Sequence, residues 1–476
     1  MRISPLWLLL AIGATACSDQ TGPTAPPEPK RDIPVPSDSS PSIELSLAAG
    51  RAARTALSGG ALTVFDLSAD AFSLPAPSLA GLRLAKHDDG DEAFEVEFGG
   101  SGSANPGLGP VFDNVSCESC HLGDGRGRPP VGGEQFESML FRASVPGFGP
   151  HGGPRPVPGQ GLQLQLRAAG ILPDANAVIQ YVTSNGVFSD GATYQLRVPT
   201  YTLTGVRQAL PLGILISPRV APAVFGLGLL EAVPEVQVFA IALAQALGGR
   251  VSGRPNFVWD EVRGRLALGR FGWKANNPSL VQQTAGAYNG DMGITTSLFP
   301  AEPCEGVDPA CARHAPELPD QTVDDVAFYT RTLGVPARRN LDDPTALRGE
   351  LLFHQTGCAG CHVPTMRTGV LPGVPEVSNQ TIHPYTDMLV HDMGPELADN
   401  RPDFRASGRE WRTAPLWGIG LVETVNGHTN FLHDGRARSL LEAILWHGGE
   451  AAVAQSRVKN LSAADRAALI VFLQSL

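Results

Sequence analysis

The sequence predicts a mainly α-helical protein with two homologous domains in tandem, the first of which is enlarged by a β-containing insertion. Three observations lead to this fold class. A short glycine-containing stretch occurs twice, an amphipathic helix pattern closes each copy, and the first copy is longer, with strand-like residues between His121 and Ala221. We expect each copy to bury its own core, because a chain of 476 residues is long enough for more than one domain.

The repeated stretch runs from Phe225 to Val233 in the first copy and from Trp417 to Val425 in the second. Both copies contain a Gly-x-Gly step followed by an acidic residue, Glu231 and Glu423. Features shared by both copies indicate scaffold, whereas features that differ indicate a division of labour. We therefore interpret the two glutamates as structural.

A closing helix is predicted in each copy, from Thr322 to Leu333 and from Ser462 to Leu473. Each pattern opens with a hydroxyl residue and has an acidic residue three positions later, as in a capping box. Gly and Pro directly after the first pattern terminate a helix. The predicted domains are therefore residues 46–335 and residues 336–476.

The insertion in the first copy has strand signals. Leu162 to Leu166 alternates apolar and polar residues, and Ala192 to Leu203 is rich in β-prone residues. A further short strand is predicted from Ala61 to Leu67. We expect a small β-rich elaboration of the first domain.

The first residues have the pattern of an export signal. An apolar run too short to span a bilayer precedes small residues and Cys17, so residues 1–17 are predicted to be a signal peptide, either of the lipoprotein type or cleaved to release a soluble product. Residues 18–45, rich in Pro and Ser, are predicted to be a flexible linker. This arrangement predicts the periplasm or cell envelope, with a lipid anchor as one alternative. The net charge of −11 argues against nucleic-acid binding.

Six of the seven cysteines lie outside the leader. Cys304 and Cys311 are predicted to form a disulfide in an oxidising compartment. The others form two Cys-x-x-Cys-His motifs, which are Cys117, Cys120 and His121, and Cys358, Cys361 and His362. Paired thiols at this spacing add to the vinyl groups of haem, and the adjoining His supplies an axial nitrogen to the iron. Zinc sites and thioredoxin-like pairs share the Cys-x-x-Cys spacing, but the following His favours two covalently bound haem c groups.

The two copies differ beyond these motifs. When Ser279 is aligned with Ser439, only the second copy has a histidine downstream, His447. We predict that His447 is the sixth ligand of the second haem and that Asp291 is an acid or base at the first. Rival sixth ligands remain open: His383, His391, His428, His433, Met388 and Met393.

Several motifs resemble those of the bacterial diheme oxidoreductases of the peroxidase type, also called thiol oxidoreductases. They include Gly107–Pro110, Asp124–Pro130, Gly269–Ala275, His391–Gly394 and Phe431–His447, and the resemblance runs from about residue 57 to the end. It implies a peroxidatic N-terminal haem that receives electrons from the C-terminal haem. It also implies catalytic roles for Gln282 and Asp291, and a position between the haems for Phe271 or Trp273.

These features predict a diheme oxidoreductase of the peroxidase kind. Its expected partners are a small-molecule oxidant such as peroxide and an electron-donor protein such as a small cytochrome or cupredoxin. Two alternatives remain, an electron-transfer cytochrome without its own substrate and a diheme oxygenase. Asp291 and the lack of an obvious sixth ligand for the first haem favour the enzyme.

Overall fold

The computed structural model describes residues 56–100, 102–105, 107–249, 251–304, 309–311 and 315–476. The predicted signal peptide and linker lie outside these residues. The described residues all belong to one compact unit, and none of their helices combines the length and apolar character needed to cross a membrane. The domain boundary near residue 336 stays a prediction.

The α-helices of the described residues are α1 Leu82–Glu95, α2 Leu227–Glu231, α3 Glu235–Gly248, α4 Leu280–Met292, α5 Asp320–Thr332, α6 Pro344–Thr356, α7 Val422–Asn426, α8 Leu440–Leu445, α9 Ala452–Lys459 and α10 Ala463–Ser475. The strands are β1 Thr63–Val64, β2 Val111–Phe112, β3 Met139–Phe148, β4 Pro154–Arg155, β5 Gln163–Leu164, β6 Arg167–Ala168, β7 Asn176–Val187, β8 Thr193–Thr204, β9 Leu215–Val220, β10 Phe257–Asp260, β11 Arg265–Leu268, β12 Val335–Pro336, β13 Met366–Arg367, β14 Thr381–Ile382, β15 Val390–Asp392 and β16 Glu410–Arg412.

The expectation of a mainly α protein is wrong, because 32% of the described residues are helical and 20% are in strands. Much of the strand lies in the insertion, where β3 pairs with β4, β5 and β9, and β7 pairs with β8 along their whole length. Elsewhere the strands form small two-stranded sheets, several with only two residues in each strand. Such short strands leave no period in the sequence that could be recognised.

A helix pair with the same close contact occurs in both halves. A Cβ atom added to Gly90 in α1 would lie 2.2 Å from Asp325 O in α5, and one added to Gly349 in α6 would lie 2.0 Å from Ala468 O in α10. Only glycine allows the two helix backbones to approach this closely. Each Cys-x-x-Cys-His motif follows the first helix of such a pair.

Both predicted closing helices are confirmed, as α5 and α10. Ser462 caps α10, since its Oγ accepts a hydrogen bond from Asp465 N at 3.1 Å. The predicted start of α5 at Thr322 is wrong, because the helix begins at Asp320 after an N-cap position held by Pro319. Proline fixes its own φ near the helical value, and it disfavours the helical region for the residue before it.

The repeated Gly-x-Gly stretches meet each other. Gly226 (φ 71°) and Gly418 (φ 70°) are left-handed, and each lies against the aromatic ring that begins the other copy. A Cβ on Gly226 would lie 2.6 Å from Trp417 Cζ2, and a Cβ on Gly418 would lie 2.5 Å from Phe225 Cζ. The two halves therefore pack through a reciprocal contact of the repeat.

The insertion also contacts the second half. Arg466 in α10 pairs with Asp190 in the β7–β8 loop at 2.7 Å, and Arg197 in β8 donates to the carbonyl oxygen of Arg436 at 3.1 Å. These contacts hold the long hairpin beside the segment that leads to His447.

Candidate functional site

The second Cys-x-x-Cys-His motif lies at a large cavity. Helix α6 ends at Gly357 (φ 97°), and Cys358, Cys361 and His362 then line a cavity of about 270 Å³. The Nδ1 atom of His362 lies 2.9 Å from Tyr385 O. Because a carbonyl oxygen only accepts, Nδ1 carries the proton and Nε2 is left as the nitrogen that could bind a metal. Burial lowers the pKa of His362 to about 4, so the imidazole is neutral at pH 7.

His447 lines the same cavity. Helix α8 starts where Ser439 Oγ accepts from Glu442 N at 3.2 Å, and His447 follows two residues after the helix. Its Nδ1 donates to Ala443 O at 2.7 Å, and burial lowers its pKa. Two neutral imidazoles, each with Nε2 left to bind a metal, therefore line one cavity.

The histidine of the first motif is oriented in the same way. His121 Nδ1 donates to Pro222 O at 2.7 Å, and burial lowers the pKa of His121 to about 4. Cys120 lines a smaller cavity of about 110 Å³ together with Arg126 and His428. Both motif histidines are thus oriented by a backbone carbonyl, as metal-binding imidazoles commonly are.

These groups fit haem. The large cavity combines the Cys pair and two imidazoles with apolar walls that include Phe353 and Leu469. Arg412 also lines it, is 8% exposed, and donates through Nε to Gly272 O at 2.9 Å. Its Nη1 has no hydrogen-bond partner among the described residues. A buried guanidinium with an unpaired N–H group suits the carboxylate of a haem propionate.

Asp291 lies at the end of α4, beside the first motif. Its Oδ1 accepts from Gln163 Nε2 at 2.8 Å, and burial raises its pKa. Burial, followed by the charge of Asp291, raises the pKa of the Cys117 thiol to about 12. An acidic group therefore lies near the predicted first haem.

Gln282 lies away from Asp291. Its Oε1 accepts from Glu261 N at 2.8 Å and its Nε2 donates to Trp259 O at 3.1 Å, so the amide is bound to the β10–β11 hairpin. Nine residues of helix separate the two side chains by about 14 Å. The structure does not bring them together.

Of the two aromatic residues predicted between the haems, Trp273 lines the large cavity. Its indole N–H donates to Val220 O at 2.8 Å. Val220 lies two residues before Pro222, whose carbonyl oxygen binds His121. Phe271 is buried and forms a bridge with Asn277. Of the two aromatic residues, Trp273 therefore contacts both the large cavity and the segment behind the first motif.

The rival ligands differ in their surroundings. His391 Nε2 contacts Asp387 at 2.8 Å and its Nδ1 contacts Glu450 at 3.0 Å. Burial opposes the charge, but hydrogen bonds to Asp387, Cys361 and Glu450 raise the pKa of His391 to about 12. Cys361, Asp387 and His391 hold ligand atoms within 4.8 Å, a spacing that could suit a metal ion, but an imidazolium has no lone pair to offer.

The remaining candidate sixth ligands lie in different parts of the structure. His433 and Met393 line the large cavity, and His433 stacks on Trp411 with ring centroids 3.7 Å apart. His383 bonds to Thr365 Oγ1 at 3.0 Å, and Met388 is buried. His428, at the smaller cavity, lies 3.0 Å through Nε2 from Arg126 O.

The structural interpretation of Glu231 is supported by its contacts. It pairs with Arg331 at 2.6 Å and accepts from Leu280 N at 2.9 Å, which fixes the start of α4. Glu423 is exposed. The predicted disulfide between Cys304 and Cys311 is confirmed.

Sequence reasoning missed Asp113, Gln163 and Arg412. Gln163 and Gln165 are 2% and 1% exposed, although the alternation of this stretch predicts that its polar residues face solvent. The buried glutamines bind the end of α4 instead, since both donate to Gly290 O at 2.9 Å. A polar residue inside a strand of an insertion gives no sign of such a partner.

Comparison with known proteins identifies the family. Residues 53–145 and 151–476 match the family model described as "Di-haem oxidoreductase, putative peroxidase". The chain therefore belongs to this family of haem-containing, peroxidase-like oxidoreductases.

Two solved structures are similar to this chain. One is hydrazine synthase of Kuenenia stuttgartiensis, with 13% identity, a TM-score of 0.31 and coverage of 98% of this chain and 100% of that chain. The other is a MauG-like protein associated with microbial copper homeostasis, with 16% identity, a TM-score of 0.26 and coverage of 53% of this chain and 88% of that chain. At these TM-scores neither structure bears on mechanism. No curated protein matches the sequence.

Proposed function

We propose that this protein is a diheme c-type cytochrome that reduces a small-molecule oxidant such as peroxide at its N-terminal haem, with electrons that enter through its C-terminal haem. The haem-attaching residues in this proposal are Cys117, Cys120, Cys358 and Cys361, and the iron ligands are His121, His362 and His447. One observation carries the proposal, namely that the segments that begin at the capping serines Ser279 and Ser439 differ at the eighth residue, where only the second half has a histidine.

Helices α4 and α8 begin in the same way. Ser279 Oγ accepts from Gln282 N at 3.3 Å, as Ser439 Oγ accepts from Glu442 N. Eight residues after each serine stand Ala287 in the first half and His447 in the second. Alanine has no ligand atom. The second haem would be closed by two imidazoles and suited to electron transfer, whereas the first would keep a coordination position for peroxide.

The remaining roles belong to side chains near the first motif. When bound, haem supplies an iron that accepts and donates single electrons. Asp291 would hold a proton beside the first motif, because burial favours its neutral form. The Gln163 amide orients Asp291, and Trp273 occupies the path between the two sites.

The electron donor in this proposal is a small redox protein, such as a cytochrome or cupredoxin, that meets the enzyme in the periplasm or cell envelope. A lipid anchor at Cys17 would confine this encounter to a membrane surface, whereas cleavage nearby would release the enzyme. Labelling with radioactive palmitate distinguishes the two, since only the anchored form incorporates it.

The test removes the predicted sixth ligand from the second half and adds a histidine at the corresponding position of the first half. The as-isolated and half-reduced holoprotein is studied by optical and electron paramagnetic resonance spectroscopy, before and after peroxide is added. The wild type should show a low-spin haem and a high-spin haem whose signal is lost on peroxide binding. His447→Ala should convert the second haem to high spin, and Ala287→His should convert the first to low spin and abolish the peroxide reaction.

Three results would overturn the proposal. An unchanged spectrum in His447→Ala would reject the ligand assignment. Two low-spin haems that are inert to peroxide in the wild type would indicate an electron-transfer cytochrome, and turnover of an organic substrate with oxygen in place of peroxide would indicate an oxygenase.

A further inference from the structure

A second buried carboxylate lies next to Asp291. Asp113 follows β2, is 3% exposed, and its Oδ2 accepts from Gln163 Nε2 at 2.6 Å. The same Nε2 donates to Asp291 Oδ1 at 2.8 Å. The backbone N–H of Asp113 also donates to Asp291 O at 2.7 Å. One amide and one backbone bond thus hold the two carboxyl groups side by side.

The pair has no cation in contact. Neither Asp113 nor Asp291 forms an ion pair with a described residue. The charge of Arg142 acts on Asp291 and opposes the rise of its pKa, but the Nη1 of Arg142 donates to Gln163 Oε1 at 3.0 Å. Two adjacent buried carboxylates without a bound cation cannot both ionise at low cost. Burial, followed by the charge of Asp291, raises the pKa of Asp113 to about 8.

The surrounding groups do not remove this constraint. Leu166 N donates to Asp113 Oδ1 at 3.0 Å, which favours the anion but adds no charge. The titratable and charged groups that face Asp113 are Asp291 from α4, Arg142 from β3, Asp174 from the loop before β7, and Cys120 from the first motif. The charge of Asp174 is compensated by Arg207 at 2.6 Å.

We propose that Asp113 and Asp291 form a coupled acid pair that holds a single proton at neutral pH, with Asp113 as the positioning residue that keeps Asp291 able to donate. This inference rests on the proposed peroxidase function. Reduction of one hydrogen peroxide to two waters breaks the O–O bond and consumes two electrons and two protons. The electrons come from the donor protein, one proton comes from the pair and the other from solvent, and solvent then reprotonates the pair.

The pair titrates as one unit, so its two ionisation steps lie far apart. In Asp113→Asn the neighbouring charge is gone, and the pKa of Asp291 falls toward that of a singly buried carboxyl. The alkaline limb of peroxide reduction should therefore move from about pH 8 to about pH 7 or lower, so the rate at pH 8 falls at least about fivefold while the rate at pH 5 changes little.

The matched control is Asp260→Asn, which removes a carboxylate that is equally buried but pairs with Arg263 and contacts neither Asp113 nor Asp291 among the described residues. A general loss of stability would lower the rate at every pH in both variants, whereas loss of the pair moves the pH profile in Asp113→Asn only. An alkaline limb at the same pH in wild type and Asp113→Asn would overturn the proposal.

A readout independent of turnover separates this inference from the proposed function. Infrared difference spectra of the holoprotein between pH 6 and pH 10 should contain a carboxyl C=O band whose titration moves to lower pH in Asp113→Asn and also in Asp291→Asn. The band should be present even if the protein does not reduce peroxide. A wild-type protein that reduces peroxide but lacks the band would refute the pair and leave the peroxidase proposal standing.

Discussion

The reciprocal contact of the repeat can be tested by adding a single methyl group. In Gly418→Ala the new Cβ would lie 2.5 Å from Phe225 Cζ, well inside the 3.4 Å at which ordinary contact begins, so the ring must move by about 0.9 Å. Phe225 is 4% exposed and stacks on Phe72 with ring centroids 4.3 Å apart, so it has little room to do so.

The expected cost has two parts. Alanine at φ 70° costs about 1–2 kcal/mol, because its Cβ approaches the following carbonyl oxygen. Overpacking of a filled core adds about 1–3 kcal/mol. Gly418→Ala should therefore lower the free energy of unfolding by about 2–5 kcal/mol.

Gly427 provides the matched control. It has φ 67° in the same segment, but a Cβ there would have no described atom within 4 Å. Gly427→Ala should cost about 1–2 kcal/mol, from the backbone alone. Guanidinium unfolding of the haem-loaded protein, followed by circular dichroism, measures both variants. Because Gly418 and Trp417 line the large cavity, only Gly418→Ala should also shift the absorption of the second haem. Equal losses of stability in the two variants would refute the packing argument.

Three further predictions concern residues around the sites. Glu231→Gln should lose about 1.5–3 kcal/mol of stability through its contacts with Arg331, with unchanged peroxide turnover per folded molecule; a selective loss of turnover would contradict its structural role. Joint replacement of Cys304 and Cys311 by serine should cost about 2–4 kcal/mol and leave both haem spectra unchanged; an altered spectrum would count against this. Arg412→Met should make the midpoint potential of the second haem more negative in a redox titration, because a nearby cation favours the reduced iron. A potential equal to that of the wild type would exclude contact between Arg412 and a propionate.

Local signals made part of the fold predictable. The closing helices α5 and α10 carry strong apolar periods, and the long β8 strand is rich in β-branched and aromatic residues. Helix α1 was not predicted, because its sequence contains Gly90 and a run of acidic residues. Its glycine is explained by the contact with Asp325 O, which exists only in the folded protein.

The residues of the candidate site also differ in whether the sequence alone reveals their role. The two Cys-x-x-Cys-His motifs are continuous in sequence, so their chemistry could be inferred without a structure. Asp113, Gln163 and Asp291 come from three distant segments, and only the folded insertion brings them together. The relation of His447 to Ala287 lies between these cases, because the alignment of the two serines can be read from the sequence and the structure shows that each serine caps a helix.

Covalent attachment of two haem groups is tested most directly by the mass of the denatured protein. The chain is produced in cells competent in cytochrome c maturation, unfolded in acid and organic solvent, and analysed by intact mass spectrometry with absorbance detection. The expected mass is that of the mature polypeptide plus two haem groups, with Soret absorbance that stays with the protein. One double variant replaces both Cys117 and Cys120 by alanine, and a second replaces both Cys358 and Cys361. Each should lose one haem. A wild-type protein at its bare polypeptide mass, without Soret absorbance, would contradict the account.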